Sequence, residues 1–286
     1  MEFVRDVCER GEDYSEQDIL TMIGIMTTNG LDISLGKGYG ELMGFYPLFS
    51  NLNHSCLANA KPVKKRDQTV EVRAKRGIRA GEEICIQYLL ETQPTRLRRQ
   101  LLARKWMFLC SCLRCQDRTE AGTFLDGLQC QVKRCEGRVL PVSPLESETE
   151  YSCDQCGART PHTEVDNILQ RAESEACQCQ RVGAERAVEH MESVIERYGD
   201  ILLGTNYVMT NLKMKLGCLY GNLPPSSVLA KMSPEELQRK LDYCKQGLDI
   251  INILDEGNLG ENTWKLRLEK EIMRTKLVLL KIIQSL

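Results

Sequence analysis

Cysteine spacing constrains this chain more than any other feature. Fourteen cysteines occur in 286 residues, and seven of them fall between positions 110 and 156. Cys130-x4-Cys135, seventeen residues, then Cys153-x2-Cys156 make a complete four-thiolate set with zinc-ribbon-like spacing. Gly137 and Gly157 each sit just behind a second ligand, where a tight knuckle needs backbone freedom. Cys110-x-Cys112-x2-Cys115 supplies three thiolates, one short of a closed tetrahedral site, so its fourth ligand must come from elsewhere. Unpaired core cysteines are the competing reading, and they suit a polar segment with little apolar periodicity poorly. Metal binding is worth roughly 10–16 kcal/mol in small zinc peptides, comparable to a whole domain's stability. Residues 106–160 are therefore expected to order only around metal. Cys177-x-Cys179 has no partners nearby in sequence and reads as buried or surface thiols, and Cys8, Cys85, Cys218 and Cys244 read as packed residues.

The metal reading depends on compartment. The opening MEFVRDVCERGED is acidic and has no apolar core of a signal peptide. A reducing location, cytoplasmic and/or nuclear, is expected, where disulfides are disfavoured. No apolar run approaches the roughly 18 residues that a membrane span needs. Lys and Arg total 38 against 40 for Asp and Glu, a net charge of −2, which excludes a globally polybasic nucleic-acid binder.

Periodicity divides the chain into an α+β front and an all-α tail. Ser15 and Asp18 form a capping-box pattern ahead of Ile19, Leu20, Ile23 and Met26 at helical spacing. Five glycines between 30 and 44 break that pattern into loops and short strands; Gly36-x-Gly38-x-Gly40 lacks the strand–helix setting of a dinucleotide loop. Val70, Val72 and Ala74 alternate with polar residues, as do Ile84, Ile86 and Tyr88, and the pair reads as two antiparallel strands. Pro94 opens a basic helix with Leu97, Leu101 and Leu102 on one side. From about 164 onward, four or five helices fit. Val188, Met191, Val194, Ile195 and Tyr198 form one stripe, and Leu237, Leu241, Cys244, Leu248 and Ile251 another, behind a Ser233-Pro234 start. Paired helices with short turns suggest a tetratricopeptide-like array, although no clean 34-residue repeat is present. Lys64-Lys65-Arg66 and Arg96, Arg98, Arg99, Arg104 and Lys105 read as solvated charge, with phosphate contact as the alternative.

Three motifs occur in order: Asn51-Leu52-Asn53-His54-Ser55-Cys56, Gly81-Glu82-Glu83-Ile84-Cys85-Ile86-Gln87-Tyr88, and Trp106-Met107-Phe108-Leu109-Cys110-Ser111-Cys112-Leu113-Arg114-Cys115. Together they resemble the SET-domain protein lysine methyltransferases, most closely the SET and MYND domain (SMYD) family. The second cysteine set and helical tail look like its arthropod-specific, msta-like branch. The likeness runs over roughly residues 15–286. It implies a partial SET β-fold over 1–93 with a helical insert, a post-SET zinc site and four-Cys zinc ribbon over 94–163, and a TPR-like domain over 164–286. It also implies that Cys56 completes the first site with Cys110, Cys112 and Cys115. One zinc would then tie distant segments together and set Phe108 beside Asn53 and His54. By the same resemblance, Asn29, Asn53, His54, Trp106 and Phe108 would contact S-adenosyl-L-methionine, and Tyr88 would be the catalytic tyrosine. Taken singly, Tyr88 could be a core tyrosine sharing a face with Ile84 and Ile86, His54 a satisfied histidine beside a turn, Asn53 a loop cap and Phe108 generic core.

The chain departs from the family pattern at its front. Strands carrying a glycine-rich cofactor loop, and the MYND finger inserted after them, do not precede residue 15, and Ala58 stands where the family often has Pro. An N-terminally shortened form is expected, with half of the cofactor pocket absent and an open apolar face. The leading functional expectation is a SMYD-like S-adenosylmethionine-dependent protein-lysine N-methyltransferase acting on a protein lysine. The alternatives are a non-catalytic zinc-stapled interaction module, or transcriptional regulator, that binds partners through its helical tail, and a zinc-dependent nucleic-acid-binding regulator.

Overall fold

The structure, a computed structural model, describes residues 14–34, 41–65, 67–179, 184–221, 228–255 and 263–284. Cys8, Arg66 and Gly36-x-Gly38-x-Gly40 lie outside the described residues. Helix α1 (Glu16–Asn29) starts as its sequence dictates. The Ser15 hydroxyl accepts the Asp18 N–H at 3.2 Å, and the Asp18 carboxylate accepts the Ser15 N–H at 3.0 Å. Strands β1 (Gly30–Ser34) and β2 (Glu41–Phe45) follow as an antiparallel pair. Of the apolar residues on α1 only Ile19 is buried; Leu20, Met22, Ile23 and Met26 are exposed, as are Leu42, Met43 and Phe45 on β2. Among the described residues, α1 and β2 thus present a group of exposed apolar side chains.

The expected antiparallel pairing of 69–74 with 84–88 does not form. Strand β4 (Ala60–Lys64) instead pairs antiparallel with β5 (Val70–Ala74), in register Pro62 to Val72. The partner nearer in sequence wins, because Asp67 folds a tight turn: its carboxylate accepts the Thr69 N–H at 3.1 Å and the Thr69 hydroxyl at 2.7 Å. The later segment is diverted by Asn59, whose buried side chain accepts the Cys85 N–H at 2.9 Å and donates to the Glu83 carbonyl at 2.8 Å and the Glu82 carboxylate at 2.9 Å. Strand β6 (Cys85–Ile86) then lies parallel to β3 (Asn53–His54). The second alternating run contracts to two strand residues, with Ile86 buried and Ile84 exposed. This crossing sets the N-H-S-C segment beside Tyr88.

Helix α2 (Thr95–Trp106) is capped by Pro94 and buries Leu102 fully, while Leu101 is exposed. Its charge is not all solvated: Arg98 is 0% exposed. The helix ends in a left-handed Met107, φ 60°, which turns the chain toward Cys110. A short helix α3 (Leu113–Gln116) follows. Strands β7 (Leu128–Gln129), β8 (Arg138–Pro141), β9 (Tyr151–Cys153) and β10 (Arg159–Thr160) make an antiparallel sheet in the order β10-β9-β8-β7. Gly137 is required here, since a Cβ would fall 2.4 Å from Cys153 Sγ, and Gly157 takes φ +72°.

Five helices complete the described residues: α4 (His162–Gln178), α5 (Ala184–Tyr198), α6 (Tyr207–Leu219), α7 (Pro234–Leu254) and α8 (Thr263–Gln284). Ser233 caps α7 in a full capping box with Glu236, with Pro234 at the first position. The expected stripes point inward: Met191, Val194 and Tyr198 on α5, and Leu237, Leu241, Cys244 and Ile251 on α7. Leu125, Leu128, Val139 and Tyr151 from the sheet region share one core with Val165, Leu169, Val194, Leu202 and Leu216 from the tail. The cysteine-rich sheet thus buries apolar area against the helices as well as gathering sulfur. Cys177 is exposed and Cys179 buried at the end of α4, the thiol roles their spacing suggests.

Candidate functional site

Two four-cysteine groups form, and they are the two that the sequence expects. Cys56, Cys110, Cys112 and Cys115 bring their sulfurs within 4.8 Å of one another, as do Cys130, Cys135, Cys153 and Cys156. In the first group Cys56 Sγ lies 3.9 Å from Cys110 Sγ and 3.6 Å from Cys115 Sγ. In the second, Cys130 and Cys156 are 3.6 Å apart and Cys135 and Cys153 3.7 Å. Ligands about 2.3 Å from a central zinc in a tetrahedron stand about 3.8 Å apart, so both donor sets fit that ion. These separations are far beyond a disulfide bond of about 2.05 Å.

The surroundings of the first group fit a thiolate-bound dication. Hydrogen bonding to Cys110 pushes the Cys56 thiol far up, while bonds from Cys112, Cys115 and Cys56 drive the Cys110 thiol far down. Crowded sulfurs divide charge unequally in this way unless a cation lets all of them ionise. Arg98 Nε donates to Cys56 Sγ at 3.1 Å, and its Nη2 lies 3.6 Å from Cys115 Sγ. Arg98 also pairs with Glu120 at 2.6 Å, and Arg114 reaches the same carboxylate at 3.1 Å. All three side chains are buried. Two guanidiniums against one carboxylate leave an excess of one positive charge, which four thiolates around Zn2+, carrying −2, offset. The second group differs: Cys156 is exposed, and Cys153 accepts backbone N–H groups, from Gln155 at 3.4 Å and Cys156 at 3.5 Å.

The remaining site residues sit around Tyr88. A cavity of about 210 Å3 is lined by Thr28, Asn29, Leu52, Gln87, Tyr88 and Trp106, among others. It is smaller than the roughly 300–1,000 Å3 usual for small-molecule sites. Asn29 closes the end of α1, donating to the Ile25 carbonyl at 3.1 Å and the Thr28 hydroxyl at 2.9 Å. Trp106 Nε1 donates to the Thr28 carbonyl at 2.8 Å, and its ring lies 5.0 Å from that of Tyr88. The Tyr88 hydroxyl donates to the Leu52 carbonyl at 2.6 Å, and burial raises its pKa, so it is neutral.

Asn53, His54 and Phe108 are not among the residues lining this cavity. Asn53 is exposed and donates to Glu83 at 2.6 Å. His54 accepts the Tyr88 N–H on Nδ1 at 3.0 Å, with Nε2 3.2 Å from Cys56 Sγ. Its ring centroid is 5.2 Å from Tyr88 and 6.1 Å from Phe108, so Phe108 does stand beside His54. Sequence reasoning missed Arg98, Arg114, Glu120 and Asn59. Nothing in a run of basic residues marks which arginine is buried, and Asn59 carries no motif.

Comparisons with known proteins bear on the family. The SET domain model matches residues 13–89. Isoforms A and B of the SET domain-containing protein SmydA-8 of Drosophila melanogaster are 32% identical over 149 residues and 36% over 156, covering 51% and 52% of this chain. The matches cover 32% and 35% of those relatives, about a third of their length. Histone-lysine N-methyltransferase SMYD3 of Mus musculus is 39% identical over 109 residues, 38% of this chain and 25% of the relative. The chain carries a SET domain and is SMYD-like, and the Drosophila relatives accord with the arthropod resemblance.

Proposed function

We propose that this SMYD-like SET chain takes part in S-adenosylmethionine-dependent N-methylation of a lysine on a protein substrate, with Tyr88 as the catalytic tyrosine. The observation that carries the reading is the convergence of Asn29, Tyr88 and Trp106 on one cavity beside a four-sulfur cluster that recruits Cys56 from the N-H-S-C segment. Bound S-adenosyl-L-methionine supplies an electrophilic methyl group. Of the residues that the resemblance assigns to the cofactor, Trp106 offers the cavity an aromatic face for an adenine and Asn29 a polar group, while Asn53, His54 and Phe108 stand outside its lining. Because the Tyr88 hydroxyl already donates to the Leu52 carbonyl, its oxygen lone pairs remain to accept an N–H of the incoming amine and aim the nitrogen. The amine must arrive neutral to attack, and a desolvated site favours that form. The two cysteine clusters are assigned as structural zinc sites, the first a post-SET site and the second a ribbon. A cytoplasmic or nuclear setting keeps their thiols reduced.

A second reading is a non-catalytic zinc-stapled module whose TPR-like tail binds a protein partner. The small volume of the cavity favours it. A nucleic-acid role gains little support from α2, since Arg96 pairs with Asp126, Arg98 with Glu120, and Arg99 donates to the Cys110 and Leu145 carbonyls. Calorimetry with S-adenosylmethionine separates the first two readings. The transferase reading expects saturable binding that Asn29→Ala or Trp106→Ala weakens at least about tenfold. Absence of binding at millimolar cofactor removes it.

A further inference from the structure

We infer that His54 is a positioning residue that couples metal in the first cysteine cluster to the setting of Tyr88. The inference rests on the proposed function only in taking Tyr88 as the reacting tyrosine. The His54 ring is polarised by its neighbours. Nδ1 receives the Tyr88 N–H at 3.0 Å and so carries no proton. A neutral imidazole with Nδ1 bare holds its proton on Nε2, and that N–H faces Cys56 Sγ at 3.2 Å. The sulfur is a prepared acceptor: Cys56 is 0% exposed, and it also receives Arg98 Nε–H at 3.1 Å. Metal ligands held by such outer N–H donors are fixed in orientation by them, and the donors are fixed in return.

The other end of the relay is equally tied. Tyr88 is joined to the segment that bears His54 at two points, its N–H on His54 Nδ1 and its hydroxyl on the Leu52 carbonyl at 2.6 Å. The His54 ring stands 5.2 Å from that of Tyr88. A path of hydrogen bonds therefore runs from the cluster sulfur through one imidazole to the Tyr88 backbone. An ion that gathers Cys56 with Cys110, Cys112 and Cys115 holds one end of it. Without that ion Cys56 loses its fixed place, and the ring loses the anchor that sets its angle. The structural metal would thus govern the site's geometry as well as the fold, through one residue.

Nuclear magnetic resonance on the whole chain loaded with 113Cd2+ tests this without cofactor or turnover. A coupling across the hydrogen bond from the His54 Nε2 proton to 113Cd is expected, as is a 15N–15N coupling between Tyr88 N and His54 Nδ1. Stripping the metal should speed Tyr88 amide exchange about tenfold, the effect of losing one hydrogen bond. His54→Asn retains an acceptor near the Nδ1 position and His54→Gln a donor near the Nε2 position. Both should still bind two Cd2+ per chain, and in both Tyr88 exchange should cease to respond to metal. If no His54 proton couples to cadmium, or if Tyr88 in both variants responds to metal as the parent does, the relay is wrong. A chain that shows both couplings yet never binds S-adenosylmethionine would remove the transferase reading and leave the relay standing.

Discussion

Arg98 Nε lies 3.1 Å from Cys56 Sγ, both side chains wholly buried, although 42 positions separate them. The contact joins the N-H-S-C segment to helix α2 and puts a permanent cation against a sulfur cluster.

Replacing Arg98 should therefore damage both fold and metal site. Arg98→Ala leaves Cys56 short of a donor and Glu120 with only Arg114 among the guanidiniums. A loss of about 3–5 kcal/mol in denaturant unfolding is expected, the usual cost of breaking a buried ion pair. Metal affinity at the first cluster should fall about 10- to 100-fold in competition with a chelator. Arg98→Lys keeps the charge but not the fork and should fall between.

Metal content should be two ions per chain, lost in order. The second cluster includes the exposed Cys156, and its sulfurs receive no side-chain cation comparable to Arg98 among the described residues, so a chelator should empty it first. Because the ligands must be deprotonated, acid should release both ions, and metal-dependent stability falls as pH falls. Mass spectrometry of native protein during titration reads the count; a plateau at one ion would exclude the two-site assignment.

Tyr88→Phe should keep the ring against Trp106 and His54 and remove only the hydroxyl bond to Leu52. A stability loss of about 1 kcal/mol is expected. Methyl transfer to a protein lysine, measured in this chain or in a longer form containing it, should be lost. Undiminished turnover would displace Tyr88 from its assigned role.

Lys240 is fully buried, with Nζ 2.8 Å from the Gly217 carbonyl, 2.5 Å from the Tyr220 carbonyl and 2.8 Å from Glu271. Lys240→Ala should cost about 3–5 kcal/mol by leaving carbonyls and a buried carboxylate without it. Lys240→Met with Glu271→Gln should recover much of that loss, as thermal unfolding would show.

Substitutions of the exposed apolar residues of α1 should behave oppositely. Ile23→Gln and Met26→Gln on α1 remove exposed apolar groups that bury little, so stability should stay within about 0.5 kcal/mol. Self-association, followed by light scattering against concentration, should fall.

Short-range signals were legible in the sequence and long-range ones were not. Spacing alone identified Cys130, Cys135, Cys153 and Cys156, because a knuckle fixes its ligands within a few residues. The helix starts at Ser15 and at Ser233-Pro234 were legible too, while the reciprocal bond from Glu236 that completes the box at Ser233 emerged only in the structure. Cys56 as fourth ligand of the first cluster came from family resemblance, and the sulfurs do converge. The strand pairing misled, since two alternating runs joined by a turn look like a hairpin until Asn59 draws Cys85 toward β3 instead.

The amino-acid order by itself thus determined the four-cysteine set at 130–156, the cysteine trio at 110–115 and the helical tail, all of which are written in local spacing and periodicity. Tertiary structure alone decided that Arg98 is interior while its helix neighbours Arg104 and Lys105 are not, that β6 runs parallel to β3, and that His54 spans from Cys56 to Tyr88. Those outcomes depend on which groups lose water together when distant segments meet, and burial of a charge is a property of the assembled surroundings, not of the residue that carries it.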